Sequence, residues 1–356
     1  MNLIELNSSY ERWLRKQVPI IEIDLQLKHE RMRSSPFPFL RASFFRWCDL
    51  WLKNMKVFEK APKILCIGDL HIENYGTWRD LEGRLIWGIN DFDEAYEMPY
   101  AIDLVRLGTS ALIASSCDHL KLSADEIMQN ILTGYEDGLR HGGRAFVLEE
   151  CHTFLRDLAQ QAQHEPKLFY QKIDELFPSN VKAPAILKKL LIATLPKGAT
   201  DFSFAHRPAG LGSLGRARFI VKAQLNGGFV VREIKALAPA AYSWILNKPS
   251  KVLKCQKLIE SSVRMPDPIL SFKKNWVIRR LAPHCTKIEV SRLDRKLDEL
   301  KLMHSMGYEL ANIHMKFKNV ILSDFKQRKK SEWIKAVELM TELTLKDWQD
   351  WTKQKS

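Results

Sequence analysis

Apolar positions repeat at helical spacing over most of the first two hundred residues, then change period. The helical signal is weak over residues 1–35, which are polar and charged. Met32 to Phe39 (MRSSPFPF) reads as a Pro-punctuated turn. Leu40 to Val57 predicts an amphipathic helix whose aromatic stripe (Phe44, Phe45, Trp47, Trp51) faces the core. Ile64 to Ile67 predicts a short buried strand ending at Gly68. After a turn at Asp80-Leu81-Glu82-Gly83, the apolar run Arg84 to Ile89 reads as its hairpin partner. Tyr100 to Ser116 predicts a strongly apolar helix. Ser123 to His141 predicts another, opened by Ser123 with Glu126 three residues on, a capping-box pattern. Residues 144–195 predict further helix, broken near Pro178-Ser179-Asn180. Near residue 200 the period becomes two. Phe202 to Leu237 predicts strands, with Asn226-Gly227-Gly228 as a hairpin turn between Ala217–Leu225 and Phe229–Ile234. Beyond lie a helix over Pro249 to Arg264, a strand over Asn275 to Leu281, a long helix over Leu293 to Phe317 and a last helix near 331–350.

Two polar clusters interrupt this pattern where a core would not want them. Gly68-Asp69-Leu70-His71-Ile72-Glu73-Asn74 follows the first strand, and Asn90-Asp91-Phe92-Asp93 ends the second. Carboxylates are rarely buried unpaired, so four acids and a histidine in apolar surroundings point to a site. Phosphoryl transfer uses such a set: one Asp orients or accepts the proton of the attacking hydroxyl, while an Asn and a later Asp hold the metal that bridges nucleotide phosphates.

Asp69 and Asn74 have the five-residue offset of the kinase catalytic loop, and Asp91 stands where its metal-binding Asp would. The stretch resembles the kinase-like phosphotransferases, the aminoglycoside-phosphotransferase branch in particular. That branch writes the loop as Gly-Asp-Leu-His-x-x-Asn and follows the second Asp with a Pro and an Asp-Leu, here Pro99 and Asp103-Leu104. The His that usually precedes Gly-Asp is Ile67 here, which removes one structural contact. In the resembled proteins the Asp of Asp-Leu braces the catalytic loop from below. The other reading of Asp103 is an ion pair within its helix to Arg106, three residues on.

Gly210-Leu-Gly212-Ser213-Leu-Gly215 lies between two strands, the setting of a kinase glycine-rich loop, although a tight turn would also use such glycines. Lys235 ends a strand 20 residues past Gly215 and matches the nucleotide-phosphate lysine. Glu260, the sole acid in Pro249 to Arg264, is the candidate partner of Lys235; the plain alternative is an exposed helix Glu. In kinases these parts precede the catalytic loop; here they follow it, so the order is circularly permuted. That order, with SPFPFLR, GDLHIENYG, NDFDEA, GLGSLG and a later I-K-A, resembles the uncharacterised bacterial family DUF2252 over roughly residues 32 to 316. The resemblance implies an α+β, two-lobed, protein-kinase-like fold in permuted order. Residues 1–199 would form a helical catalytic lobe, 200–284 a small β-rich nucleotide-binding lobe, and 285–356 helices returning to the first. One departure stands out. The residue two before the phosphate lysine is small in kinases and lies on the adenine; here it is Glu233.

The chain has 356 residues, 46% hydrophobic, enough for a large core in two lobes. A formal net charge of +13 favours anionic partners, but no basic block interleaved with aromatics marks a nucleic-acid track. Six cysteines without a C-x-x-C pair read as free thiols in a reducing compartment. No apolar h-region and no long uncharged apolar stretch occur, so a cytoplasmic location without a membrane span is expected.

The resulting expectation is a magnesium-dependent phosphotransferase using ATP or another nucleoside triphosphate on an unknown small-molecule acceptor. Asp69 acts on the acceptor; Asn74 and Asp91 bind magnesium, with Asp93 as second ligand or structural acceptor. His71 orients the loop, with a metal role as the lesser option. Gly210, Gly212, Ser213 and Gly215 cover the phosphates, and Lys235 contacts them. Three rivals remain. A dinuclear metallohydrolase would need a Gly-Asn-His cluster, which is missing from the sequence. A non-catalytic nucleotide-binding module would keep the same fold, and nucleotidyl transfer would need the same residues.

Overall fold

The computed structural model describes residues 1–354 except 118, 163–164, 249, 251–252, 289–292 and 294. Four helices open the chain: α1 (Leu3–Arg15), α2 (Glu22–Ser34), α3 (Pro36–Ala42) and α4 (Phe44–Asn54). The expected turn at Met32 to Phe39 is therefore mostly helix. Pro36 takes the first helical position, where its missing N–H costs nothing, and the predicted helix from Leu40 breaks at Ser43. The aromatic stripe of α4 is core as expected, with Trp47 stacked on Trp51 and Trp51 on Phe58.

Strand β1 (Lys63–Cys66) leads into the first polar cluster. Its partner is β4 (Tyr96–Pro99), not the run after the turn. The hairpin proper joins β2 (Tyr75–Arg79) to β3 (Leu85–Ile89), and β5 (Phe146–Val147) extends it. So the first cluster bridges two small sheets, and β3 delivers the second beside it. Helix α5 (Ala101–Ser116) runs beneath and is buried along most of its length. Helix α6 (Ala124–His141) carries the predicted capping box, with Ser123 and Glu126 each bonding the other's backbone N–H.

Short helices α7 (Leu148–Cys151), α8 (Thr153–Ala162), α9 (Pro166–Asp174) and α10 (Ala185–Ile192) fill the stretch expected to be helical. A five-stranded antiparallel sheet follows: β6 (Thr200–His206), β7 (Arg218–Leu225), β8 (Gly228–Ala236), β9 (Ser271–Lys273) and β10 (Trp276–Leu281), in the order β6-β7-β8-β10-β9. The turn between β7 and β8 is Asn226-Gly227, both at positive φ, as an Asn-Gly hairpin requires. Between β8 and β9 lie α11 (Ala241–Ile245) and α12 (Cys255–Glu260). The helix expected over Pro249 to Arg264 is thus much shorter, and part of that span lies outside the described residues. Helices α13 (Lys296–His314), α14 (Lys318–Phe325) and α15 (Lys330–Thr352) complete a mixed α+β architecture, α13 packing on α6 and α15 on α5. Among the described residues no helix is long and apolar enough to cross a membrane. Cysteines 48, 66, 117, 255 and 285 are free thiols; Cys117 and Cys285 are only half-buried.

Candidate functional site

The loop after β1 is held from below. Asp103 on α5 accepts the backbone N–H of Ile67 and of Gly68 at 2.8 Å each. It also meets His314 Nε2 at 3.1 Å, and Tyr135 Oη lies 2.9 Å from His314 Nδ1. Of the two readings of Asp103 the geometry supports the brace. His314, from a helix far along the chain, brings an imidazole beneath the same loop. Cys66, Asp103 and His314 offer ligand atoms within 4.8 Å of one another, but each already has a partner: the Cys66 thiol donates to the Met98 carbonyl. Asp103, His314 and Tyr135 form one hydrogen-bond network, and Cys66 is bonded outside it. Gly68 sits at φ +91, and a Cβ there would stand 2.7 Å from the Glu94 carbonyl, so this turn needs glycine.

Arg106, one turn after Asp103, pairs with Asp69: Nε and Nη2 reach Oδ1 at 3.2 and 2.6 Å. Burial raises the Asp69 pKa, and Arg106 opposes that rise. Arg106 itself lies over the rings of Phe44 and Trp47, which explains why α4 carries aromatics there. Asn74 donates its amide N–H to the Asp69 carbonyl at 2.7 Å, which fixes the five-residue loop and turns its oxygen away from that bond. His71 Nδ1 accepts the Glu73 N–H at 3.2 Å, so the ring caps the turn that carries Asn74. Burial, then Arg41, pushes its pKa well below the usual value, and the ring is neutral.

Beyond β3, Asp91 and Asp93 flank Lys235 of β8, whose Nζ lies 3.4 Å from Asp91 Oδ1 and 2.6 Å from Asp93 Oδ2. Burial would raise the Asp91 carboxyl, but Lys235 and Arg279 outweigh it and hold the group well below the carboxylate range. Asp93, more deeply set, is raised by burial and by Asp91. Asp91 keeps 41% of its side-chain surface and is the more accessible of the two. Glu260 is not the partner of Lys235. It ends a helix of one and a half turns, lies exposed, and accepts a hydrogen bond from Gln256 at 2.7 Å.

The glycine segment is a docked turn. Leu211 and Leu214 are buried with Leu3, Met32, Phe39, Ala42 and Trp351. A Cβ on Gly212 would stand 3.4 Å from Asp69 Oδ2, so the turn lies directly on the carboxylate. Gly210, Gly212 and Ser213 line the same cavity as Asp69; Gly215 does not. It packs on Leu25 of α2, and its carbonyl accepts the Ile21 N–H. The Ser213 hydroxyl is taken by Arg218 at 2.7 Å.

These groups enclose a cavity of about 550 Å³ lined by Asp69, His71, Asn74, Asp91 and Asp93. Sequence reasoning missed its cations. Arg41 pairs with Glu73 at 2.5 Å, Arg216 with Glu94 at 2.9 Å, and Lys28 and Lys287 complete the wall. Burial, then nearby arginines, lowers both lysines to about 8. Lys287 keeps an exposed surface because it faces the open cleft while protein surrounds it. The one available signal was GRAR directly after the glycine turn, which places Arg216 and Arg218 at the cavity.

A family model described as "Uncharacterized protein conserved in bacteria (DUF2252)" matches residues 21–177, the part that carries both polar clusters and α5. The span expected from the motifs reached to residue 316, and the matched region ends before the five-stranded sheet. No curated protein and no solved structure matches the chain.

Proposed function

We propose that this protein is a magnesium-dependent, kinase-like phosphotransferase whose parts occur in circularly permuted order. The observation that carries the reading is the meeting of Asp69, Asn74 and Asp91 at one cavity, with Lys235 of a distant strand joined to them through Asp91 and Asp93. The connectivity of the sheet supports it. The glycine turn joins the first and second strands, Lys235 lies on the third, and a helix intervenes before the last two.

Asp69 would take the acceptor's proton. Arg106 holds Oδ1, leaving Oδ2 toward the cavity, and burial strengthens the base. Two carboxylates and the Asn74 oxygen are hard donors of the kind magnesium uses, so the residues fit the ion; Asp91 and Asn74 would hold it. When bound, it would neutralise phosphate charge. Lys235, buried behind the two aspartates and not itself at the cavity wall, would have to reach past them to serve as the cation for the phosphates. Asp93, nearer Lys235 and 3.6 Å from Arg216, serves as structural acceptor. The acceptor is a small molecule with a hydroxyl or amine.

A second reading, a non-catalytic nucleotide-binding protein, draws on the seating of Gly212 against Asp69, which narrows the space for an acceptor. Thermal unfolding with ATP or GTP plus magnesium tests the binding shared by both. A ligand at a hundredfold excess over Kd adds about 2.7 kcal/mol of stability. We expect a magnesium-dependent shift in the wild type that Asp91→Ala loses. Labelled γ-phosphate moving to a small-molecule library supports catalysis. No shift with any triphosphate sinks the reading.

A further inference from the structure

The feature least like a nucleotide pocket is the cluster around Glu233. The side chain is 0% exposed, yet its carboxylate is met by Arg207, by Arg218 at 3.1 Å and by Arg279 at 2.7 Å. Burial would raise its pKa, but the three arginines hold it well below the carboxylate range. This cluster occupies the sheet face two residues from Lys235, where a base would need an apolar wall. Arg207 and Arg279 keep 28% and 27% of their side-chain surface and line the cavity. A base placed there would meet two part-exposed guanidiniums in place of an apolar wall and would bring no negative charge to balance them.

The connector after β10, which would otherwise read a base edge through its backbone, is already occupied. Thr77 of β2 donates its N–H to the Thr286 carbonyl at 2.8 Å and its hydroxyl to the His284 carbonyl at 2.6 Å. Its hydroxyl oxygen accepts the Thr286 N–H at 3.1 Å. The Cys285 N–H turns back to Ala282, and Pro283 has none. Meanwhile lysines and arginines outnumber carboxylates along the wall. Among the described residues, Nε of Arg41, Arg216 and Arg218 has no hydrogen-bond acceptor. The cavity thus offers donors and positive charge in excess, and the aromatic rings at its wall are already engaged: Phe44 lies under Arg106, Trp78 under Arg264, and Phe45 is stacked on Tyr10.

We infer that the donor is held by its phosphates alone: the cleft takes a magnesium-complexed polyphosphate chain, with no preference among bases and no requirement for one. This rests on the phosphotransferase reading and specifies its donor. The chain could come from any nucleoside triphosphate or from inorganic polyphosphate, and the test separates them.

Calorimetric titration of the full chain in magnesium with ATP, GTP, CTP, sodium tripolyphosphate and adenosine decides the matter. Expected are dissociation constants within about threefold for the four phosphate compounds and no heat from adenosine. Lys287→Ala, at a residue exposed enough to spare the fold, should weaken ATP and tripolyphosphate by the same factor, on the order of five- to tenfold. One nucleotide binding more than about tenfold tighter than tripolyphosphate, or adenosine binding at all, overturns the inference and leaves the phosphotransferase reading standing. If none of the four phosphate compounds binds, the reading itself fails and the inference falls with it.

Discussion

The two sides of the cleft are built on opposite terms. On the helical side, the groups that meet at Asp103 each have a partner of matching kind. Two backbone N–H groups and an imidazole converge on one carboxylate, and a tyrosine hydroxyl completes the far end of the ring. On the sheet side, around Glu233, one carboxylate faces three guanidiniums, and several guanidinium nitrogens nearby lack acceptors among the described residues. The first arrangement is closed and fixes a loop. The second is charge-unbalanced, and an added anion would relax it. A buried polar network is a scaffold when satisfied and a binding site when it is not.

The strongest challenge to this contrast is Asp103→Ala. It leaves two buried N–H groups and His314 without an acceptor, and should cost on the order of 3–5 kcal/mol in urea unfolding. No added anion should restore it. A loss below about 1 kcal/mol would show that the brace is not structural. Next comes Glu233→Gln, which keeps the shape and removes the charge. Stability without ligand should fall by about 2–3 kcal/mol, and tripolyphosphate should recover more stability in this variant than in the wild type. Equal recovery in both would dissolve the distinction between the two sides.

A smaller effect concerns Glu309 of α13, which accepts the Ile89 N–H at 3.2 Å and an Asn312 N–H at 2.8 Å beneath β3. Burial pushes its carboxyl up to about 7, against about 4.3 in an unfolded chain. Between those values the folded protein holds a proton that the unfolded chain has released. Its contribution therefore makes stability fall as pH rises through that window, then level off. Glu309→Gln should flatten this part of the profile, by about 1 kcal/mol or more across the window. An unchanged profile would mean the carboxyl titrates normally. Last, Glu260→Ala should change neither stability by more than about 0.5 kcal/mol nor polyphosphate binding, since the side chain is exposed and, among the described residues, bonds to Gln256 of its own helix.

What could be read from the sequence followed locality. The polar clusters at Asp69 to Asn74 and Asn90 to Asp93 stood out because they break apolar runs, and the Ser123 cap and Asn226-Gly227 turn because their chemistry fits in four residues. The partner of β1 was misassigned because Tyr75–Arg79, with Gly76 among aromatics, has no clean alternation, while the strand that does pair is four residues ending in Pro99. The alliances of Arg106 with Asp69 and of His314 with Asp103 join residues 37 and 211 positions apart. No periodicity encodes them, because they depend on how α5 and α13 pack beneath the loop. Glu260 was chosen for being the only acid in an expected helix; once that helix proves short, the choice loses its basis.

The turn at Leu211–Ser213 rests on side chains translated at opposite times. Leu3, Met32, Phe39 and Ala42 are made before the turn, and Trp351 of α15 after it. Asp69 precedes the turn that lies on it, and the apolar seat of that turn is complete only once α15 is in place. A nascent chain interrupted before α15 would therefore carry the acidic cluster under a turn whose apolar seat lacks Trp351.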